Sequence, residues 1–323
     1  MSRELVAVDL GGTHARFALA TIADGKVTAL GEPVTLQTAE HASFQTAWQA
    51  FGDAVGRALP DAAAVAVAGP AHGAVIKLTN NPWIIRPALM GEKLGVGDFV
   101  FVNDFEAIGH AVARAGDEDF LALTGPDGPL PADGVISIVG PGTGLGVASV
   151  VRGGDGYRVV PTEGGHIDFA PLDAIEDALL ARLRKRHRRV SAERIVCGPA
   201  IVDIYETLAD LEGRAIRSLD DRSIWKAGMD GSDSLAAAAV DRFCLSLGSF
   251  AGDIALAQGA SAVVIAGGLG YRLRDLLPRS GFAERFRAKG RFETMMEQMP
   301  VRLITHPQPG LYGAAAAFAQ RFA

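Results

Sequence analysis

The chain has 323 residues, 49 % of them hydrophobic and 21 % charged, with Lys+Arg 31 against Asp+Glu 37 and a formal net charge of −6. That apolar content excludes a disordered segment, the length favours two domains over one, and the acid excess argues against a dedicated nucleic-acid binder. No run approaches the roughly 20 consecutive apolar residues of a membrane span, and two cysteines, Cys197 and Cys244, are too few for a disulfide framework or a cysteine-rich metal site.

Strands and helices alternate along the chain, which predicts an α/β architecture. Residues 5–8 read as a buried strand that stops at Asp9, too short for a signal peptide, so a reduced, cytoplasmic setting is expected. A glycine turn leads to a second strand at 16–20, so the chain opens as a hairpin. Helical spacing of Phe44, Trp48, Phe51, Val55 and Leu59 predicts a helix over 42–59, stopped by Pro60. Strands at 65–67 and 99–102 follow, then a helix at 105–115. A second glycine-turn hairpin begins at 135–139. Helices are predicted at about 172–188, 199–211 and 234–257, a strand at 262–266 and a last alanine-rich helix at 310–322. Shifted by 130 residues, Gly12-Thr13 falls on Gly142-Thr143; both sites read strand, glycine turn, strand, the pattern of a duplicated unit or of chance.

Two turns have phosphate-binding chemistry. In Asp9-Leu-Gly-Gly-Thr13 the glycines let backbone N–H groups face an anion, Thr13 adds a hydroxyl, and Asp9 is placed to orient a hydrated cation such as Mg²⁺. Gly140-Pro-Gly-Thr-Gly-Leu-Gly146 is denser in glycine. Neither fits G-x-x-x-x-G-K-[ST] or G-x-G-x-x-G, which makes a dehydrogenase reading poor. Each also reads as an ordinary hairpin turn.

Asn103-Asp104 ends an apolar strand, where α/β sheets bind ligands. Asp104 there is either a proton acceptor or the cap of the next helix. Thr162-Glu-Gly-Gly-His166 places an acceptor and an imidazole around two glycines, fit to hydrogen-bond a polyhydroxylated ligand; the glycines oppose a helical metal pair. Glu193 is either a ligand-site acid or a solvated one. Gly267-Gly268 permits a flat ring or ribose to approach, or simply a tight strand-to-helix turn. The basic run 182–189 reads as a solvated helix face, and the cysteines as small buried hydrophobes.

Six strings together resemble the bacterial glucokinases of the hexokinase-like group that lacks a cysteine-rich zinc motif. They are Val8-Asp-Leu-Gly-Gly-Thr13, Val102-Asn-Asp-Phe105, Gly142-Thr-Gly-Leu-Gly146, Glu163-Gly-Gly-His-Ile-Asp-Phe-Ala170, Val190-Ser-Ala-Glu-Arg194 and Ile265-Ala-Gly-Gly268. The resemblance implies an actin-like, ribonuclease-H-like two-domain α/β fold with mixed sheets and a ligand cleft between domains. A small domain would take 1–108 plus 307–323 and a large one 109–306. Asp104 is then the catalytic base, and Asn103, Asp104, Glu163, His166 and Glu193 are the sugar ligands. ATP would meet Val8, Asp9, Leu10, Gly11, Gly12, Thr13, Gly142, Thr143, Gly144, Gly267 and Gly268, with Mg²⁺ arriving bound to ATP, through water near Asp9. D-Glucose, ATP and a second copy of the chain are the implied partners, with no nucleic acid and no membrane. His14 and Pro141 stand where the family usually has Asn and Ala. The implied reaction carries the γ-phosphoryl group of ATP to the glucose 6-hydroxyl. Its rivals are a kinase for another hexose or an N-acetylated sugar, and a non-catalytic sugar-responsive regulator. A first strand starting by residue 5 is not expected to leave room for a helix-turn-helix ahead of it.

Overall fold

The computed structural model describes residues 2–78, 81–154 and 156–322. In chain order its elements begin β1 Ser2–Leu10, β2 His14–Ala23, β3 Lys26–Leu30, β4 Val34–Gln37, α1 Phe44–Val55, β5 Ala62–Val67, β6 Ile76–Lys77, β7 Ile84–Ile85, α2 Met90–Leu94, β8 Asp98–Asn103 and α3 Asp104–Arg114. Next come β9 Phe120–Thr124, β10 Gly134–Pro141, β11 Leu145–Gly153, β12 Gly156–Thr162, α4 Ala174–Arg184, α5 Ile201–Leu211, α6 Asp221–Asp230 and α7 Ser234–Gln258. The chain closes with β13 Ala262–Ile265, α8 Gly267–Arg272, α9 Phe282–Arg287, α10 Glu293–Glu297, β14 Val301–Ile304 and α11 Pro309–Phe322.

Two compact units result. One runs to Gly116, adds Val159–Pro161 and resumes at His306; the other holds Asp117–Arg158 and Thr162–Thr305. The first unit includes α3, whose Ala107 is buried with Leu311, Ala314 and Phe318 of α11.

In the first unit the strand order is β3-β2-β1-β5-β8, with β4 also on β2. The β1–β2 pair is antiparallel, while β5 and β8 run parallel to β1. Side chains alternate between the two faces of the sheet. Val6, Val8, Leu10, Phe17 and Val65 pack with Phe44, Trp48 and Phe51 of α1 on one face. Leu5, Ala7, Ala64 and Ala66 pack with Leu311, Ala315 and Phe318 of α11 on the other. That second face is mostly alanine, which lets the alanine-rich α11 lie close to the sheet.

The second unit repeats the plan, in the order β12-β11-β10-β13-β14-β9. Its β10–β11 hairpin is antiparallel, and β13 and β14 follow in parallel. A hairpin beside two parallel strands, built twice, extends the short sequence echo between Gly12-Thr13 and Gly142-Thr143 to whole sheets.

Three helices bear on the expectations in particular. Helix α1 stops at Val55, well before Pro60, because Gly56 adopts φ 70° and its N–H bonds the Gly52 carbonyl. Helix α6 was not legible: its sequence is polar, and Ile224 and Trp225 are the large side chains it buries. Helix α7 is long and apolar enough to cross a membrane by length and composition, although no unbroken apolar run predicted one. Its Phe243, Cys244, Leu247 and Phe250 are buried in the second unit, so it serves as a core helix.

Candidate active site

In the first unit the site begins where β8 becomes α3. The helix cap there is Asn103, not Asp104. The Asn103 amide oxygen accepts the N–H of Phe105 (2.9 Å) and of Glu106 (3.3 Å), and the Glu106 carboxylate accepts the Asn103 N–H (3.2 Å). The Asn103 amide nitrogen donates to the Gly69 carbonyl (3.1 Å), leaving one amide hydrogen for a ligand. Asp104 is the first helical residue; its carboxylate accepts the N–H of Phe105 (2.9 Å), has the Asn103 amide beside it, and enters no ion pair among the described residues. Burial pushes its pKa from 3.8 to about 6; the Phe105 N–H opposes the rise and the charge of Asp9 adds to it. A carboxyl poised there holds a proton acceptor ready near neutral pH.

Asp9, near the end of β1, is half-buried, and desolvation raises its pKa against the pull of the Arg16 guanidinium, which donates to it at 3.1 Å. Gly310 at the start of α11 has no room for a side chain, since a Cβ would lie 2.9 Å from the Asp9 carboxyl carbon. Beyond Asp9 the turn is held through its carbonyls. Gly12 C=O accepts from Thr38 Oγ1 (2.7 Å) and Asn81 Nδ2 (3.2 Å), and Thr13 C=O accepts the Thr38 N–H (3.0 Å). The Gly11 N–H bonds His14 C=O (2.9 Å), while the N–H groups of Gly12 and Thr13 donate to nothing among the described residues.

The second unit has a matching turn. Gly142 N–H bonds Gly144 C=O (2.8 Å), and Gly142 C=O accepts the Gly198 N–H (2.7 Å). Leu145 N–H donates to Glu193 Oε2 (3.0 Å). The N–H groups of Thr143 and Gly144 have no acceptor among the described residues. Two free amides on adjacent glycine-turn residues are the chemistry that an anion-binding concavity needs. Gly267 opens α8 at φ 78°, where a Cβ would lie 2.7 Å from Pro141 C=O, so only glycine lets α8 start against this turn. Gly268 beside it faces open space.

Glu163 and His166 flank a single 3₁₀ turn, Gly164–His166, and are exposed. Their side chains come within 3.9 Å of each other. Glu193 joins them through backbone pairing of distant segments: Ala192 N–H bonds Ile167 C=O (2.8 Å) and Phe169 N–H bonds Val190 C=O (3.1 Å). Arg189 donates to Asp168 across the same seam (2.6 Å). Glu193 is therefore not a solvated acid; one of its oxygens supports the 142–145 turn. Elsewhere in the basic run Arg182 bonds Asp203, Glu206 and Asp210 and Arg186 bonds Asp203, while Arg184, Lys185 and Arg188 are exposed, as a solvated helix face would have them. Cys197 and Cys244 are buried, and burial pushes their thiols up to about 11 and about 12, where they are unreactive.

Sequence reasoning singled out Asp104, Glu163, His166, Glu193 and both turns as candidates. It missed Thr38, Asn81, Gly198 and Trp225, which hold the turns from outside. Threonine, asparagine and tryptophan at those positions carry no local signal, since their partners lie far along the chain.

A twice-built hairpin with parallel strands, a free-amide turn in each hairpin and a carboxylate at a parallel strand's end define an actin-like phosphotransferase. The chain matches the glucokinase family profile over residues 5–321. It is 58 % identical to the glucokinase of Zymomonas mobilis over 99 % of this chain and 98 % of that protein. It is 41 % identical to the glucokinase of Caulobacter vibrioides, over 96 % and 93 %. Among solved structures, the glucokinase of an Antarctic psychrotroph superimposes with a TM-score of 0.86 at 33 % identity, covering 98 % and 99 % of the two chains. The fold extends to the Balamuthia mandrillaris glucokinase in complex with glucose, with a TM-score of 0.79 at 23 % identity and coverage of 99 % and 94 %. The chain belongs to the glucokinase family.

Proposed function

We propose that this chain phosphorylates D-glucose on its 6-hydroxyl with ATP, Asp104 being the base. It is an ATP-dependent glucokinase. The observation that carries the role of Asp104 is a half-buried carboxyl at a strand end, pushed up to about 6, whose helix is already capped by its neighbour. The helix cap does not depend on this carboxylate and no ion pair among the described residues ties it up, which leaves it available for chemistry. Asp104 takes the proton of the attacking hydroxyl as its oxygen bonds the γ-phosphorus and ADP departs. Phosphoryl transfer needs in-line placement and charge stabilisation rather than covalent help. Glu163, His166 and Glu193 hold sugar hydroxyls, Asn103 adds its remaining amide hydrogen, and the free amides of Gly12, Thr13, Thr143 and Gly144 receive phosphate oxygens.

Asp9 fits a hydrated Mg²⁺ brought by ATP. Its carboxylate is a hard oxygen donor, and a cation there offsets the repulsion between Asp9 and Asp104. When bound, the ion neutralises charge on the phosphates. The resemblance to glucokinases supports a cytoplasmic homodimer as part of the same proposal. A coupled assay of the purified protein with Mg-ATP and glucose, mannose, fructose, N-acetylglucosamine or N-acetylmannosamine tests the substrate. Glucose is expected to have the highest kcat/KM, and a higher value for another sugar overturns this assignment.

The Glu163 side chain makes no hydrogen bond among the described residues, and its carbonyl bond to the His166 N–H survives substitution, so Glu163→Ala is expected to remove a ligand contact at little cost to folding. The KM for glucose is expected to rise between fivefold and a hundredfold, about 1–3 kcal/mol, with an unchanged unfolding midpoint. An unmoved KM places the sugar elsewhere.

The phosphate reading is best tested at Gly142, where an added Cβ meets nothing within 4 Å. Gly144 is unsuited, because its Cβ would lie 2.6 Å from Glu193 Oε2 and disturb a sugar ligand. Gly142→Val is expected to weaken ATP at least about tenfold while calorimetric glucose affinity stays within about twofold. Unaltered ATP kinetics move the phosphate site elsewhere.

A further inference from the structure

The two turns share a feature beyond their glycines. In each, the glycine carbonyl at the equivalent position, Gly12 or Gly142, is pinned from outside the hairpin. A trans peptide points its C=O and N–H in opposite directions. Pinning Gly12 C=O onto Thr38 therefore turns the Thr13 N–H away from Thr38, and pinning Gly142 C=O onto Gly198 turns the Thr143 N–H away from Gly198. Those two amides are among the N–H groups left without an acceptor.

The pins have definite origins. Thr38 is buried and follows β4, which reaches the turn because His14 of β2 pairs with Gln37. Gly198 is held in turn by Trp225, whose indole Nε1–H donates to Gly198 C=O at 2.8 Å. Trp225 is itself fixed in the core, edge-on to Phe243 at 5.0 Å, on a helix locked to α7 by Gly228, where a Cβ would lie 2.6 Å from Ala236 C=O.

We infer that Thr38 and Trp225 are positioning residues for the nucleotide: each orients one peptide of a phosphate-receiving turn, Thr38 directly and Trp225 through Gly198. The inference rests on the reading of both turns as phosphate-facing. It separates from a purely structural role because a lost pin misorients an amide that only the nucleotide uses. Sugar ligands and overall stability need not follow.

The test measures Kd for a nonhydrolysable ATP analogue and for glucose by calorimetry, with unfolding midpoints, in Thr38→Val, Thr38→Ser and Trp225→Phe. Valine keeps the shape of threonine without its hydroxyl, serine keeps the hydroxyl, and phenylalanine keeps most of the ring contact without the N–H. Thr38→Val and Trp225→Phe are each expected to weaken the analogue about three- to tenfold, with glucose within about twofold. Thr38→Ser is expected to bind the analogue like the parent. Equal weakening of both ligands, or a Thr38→Ser variant as weak as Thr38→Val, overturns the inference. Gly142→Val distinguishes the two levels. If it weakens the analogue while Thr38→Val and Trp225→Phe do not, the positioning role alone fails. If it too leaves the analogue unaffected, the phosphate reading of the turn fails and the inference with it.

Discussion

Asp104→Asn is expected to lower kcat for glucose and Mg-ATP by about 10²-fold or more, the usual share of a general base. Glucose Kd should remain within roughly tenfold, about 1.4 kcal/mol, since an amide still hydrogen-bonds a hydroxyl. The structure sharpens this experiment. Asn103 and Glu106 cap the helix, so the substitution leaves the cap untouched, and a loss of rate cannot be assigned to helix fraying. The parent's kcat/KM should fall with acid below about pH 6, as the base takes up its proton.

Stability should move the opposite way. A carboxyl whose pKa rises on folding favours the folded state below 3.8, and that favour is lost as pH climbs through about 6. The variant cannot ionise, so its unfolding midpoint should exceed the parent's above pH 6 and converge with it near pH 4. The gain is bounded at about 3 kcal/mol. An inactive but stabilised variant marks a site where function is kept at the expense of stability. An unchanged kcat would return the search for the base to Glu163 and Glu193.

Gly313→Ala is expected to be the most damaging change of a single methyl. A Cβ at 313 would sit 1.8 Å from Ala107 C=O and 3.1 Å from Ala111 N–H, backbone atoms that cannot swing aside. Helix α11 would have to lift off α3 and open the cluster that holds Leu311, Ala314 and Phe318. A loss of at least about 3 kcal/mol is expected, since overpacking against backbone exceeds the ordinary cost of an extra methylene. The midpoint of the first urea transition reads it. Ala107 lies one helical turn from Asp104, so kcat/KM should fall in the same variant. A stability change below about 0.5 kcal/mol, from the midpoint shift and the slope m, would show that the two helices slide apart freely.

The sequence alone determined the features that depend on neighbouring residues. Glycine spacing marked both turns, the apolar run 99–102 before Asn103-Asp104 placed the carboxylate at a strand end, and the order of six short strings identified the family. These are local patterns, read within a few residues of backbone. The tertiary structure decided which side chain does which job. Asn103 and not Asp104 caps α3, because Glu106 completes the capping box with the neighbour. Glu193 supports the turn at Leu145 because the 190–192 segment pairs with 167–169. Thr38 and Trp225 reach their turns only after β4 has docked on β2 and α6 on α7. Hydrogen bonds between residues tens of positions apart depend on strand register and helix docking, which are set by the packing of the whole unit and leave no periodic trace in the chain.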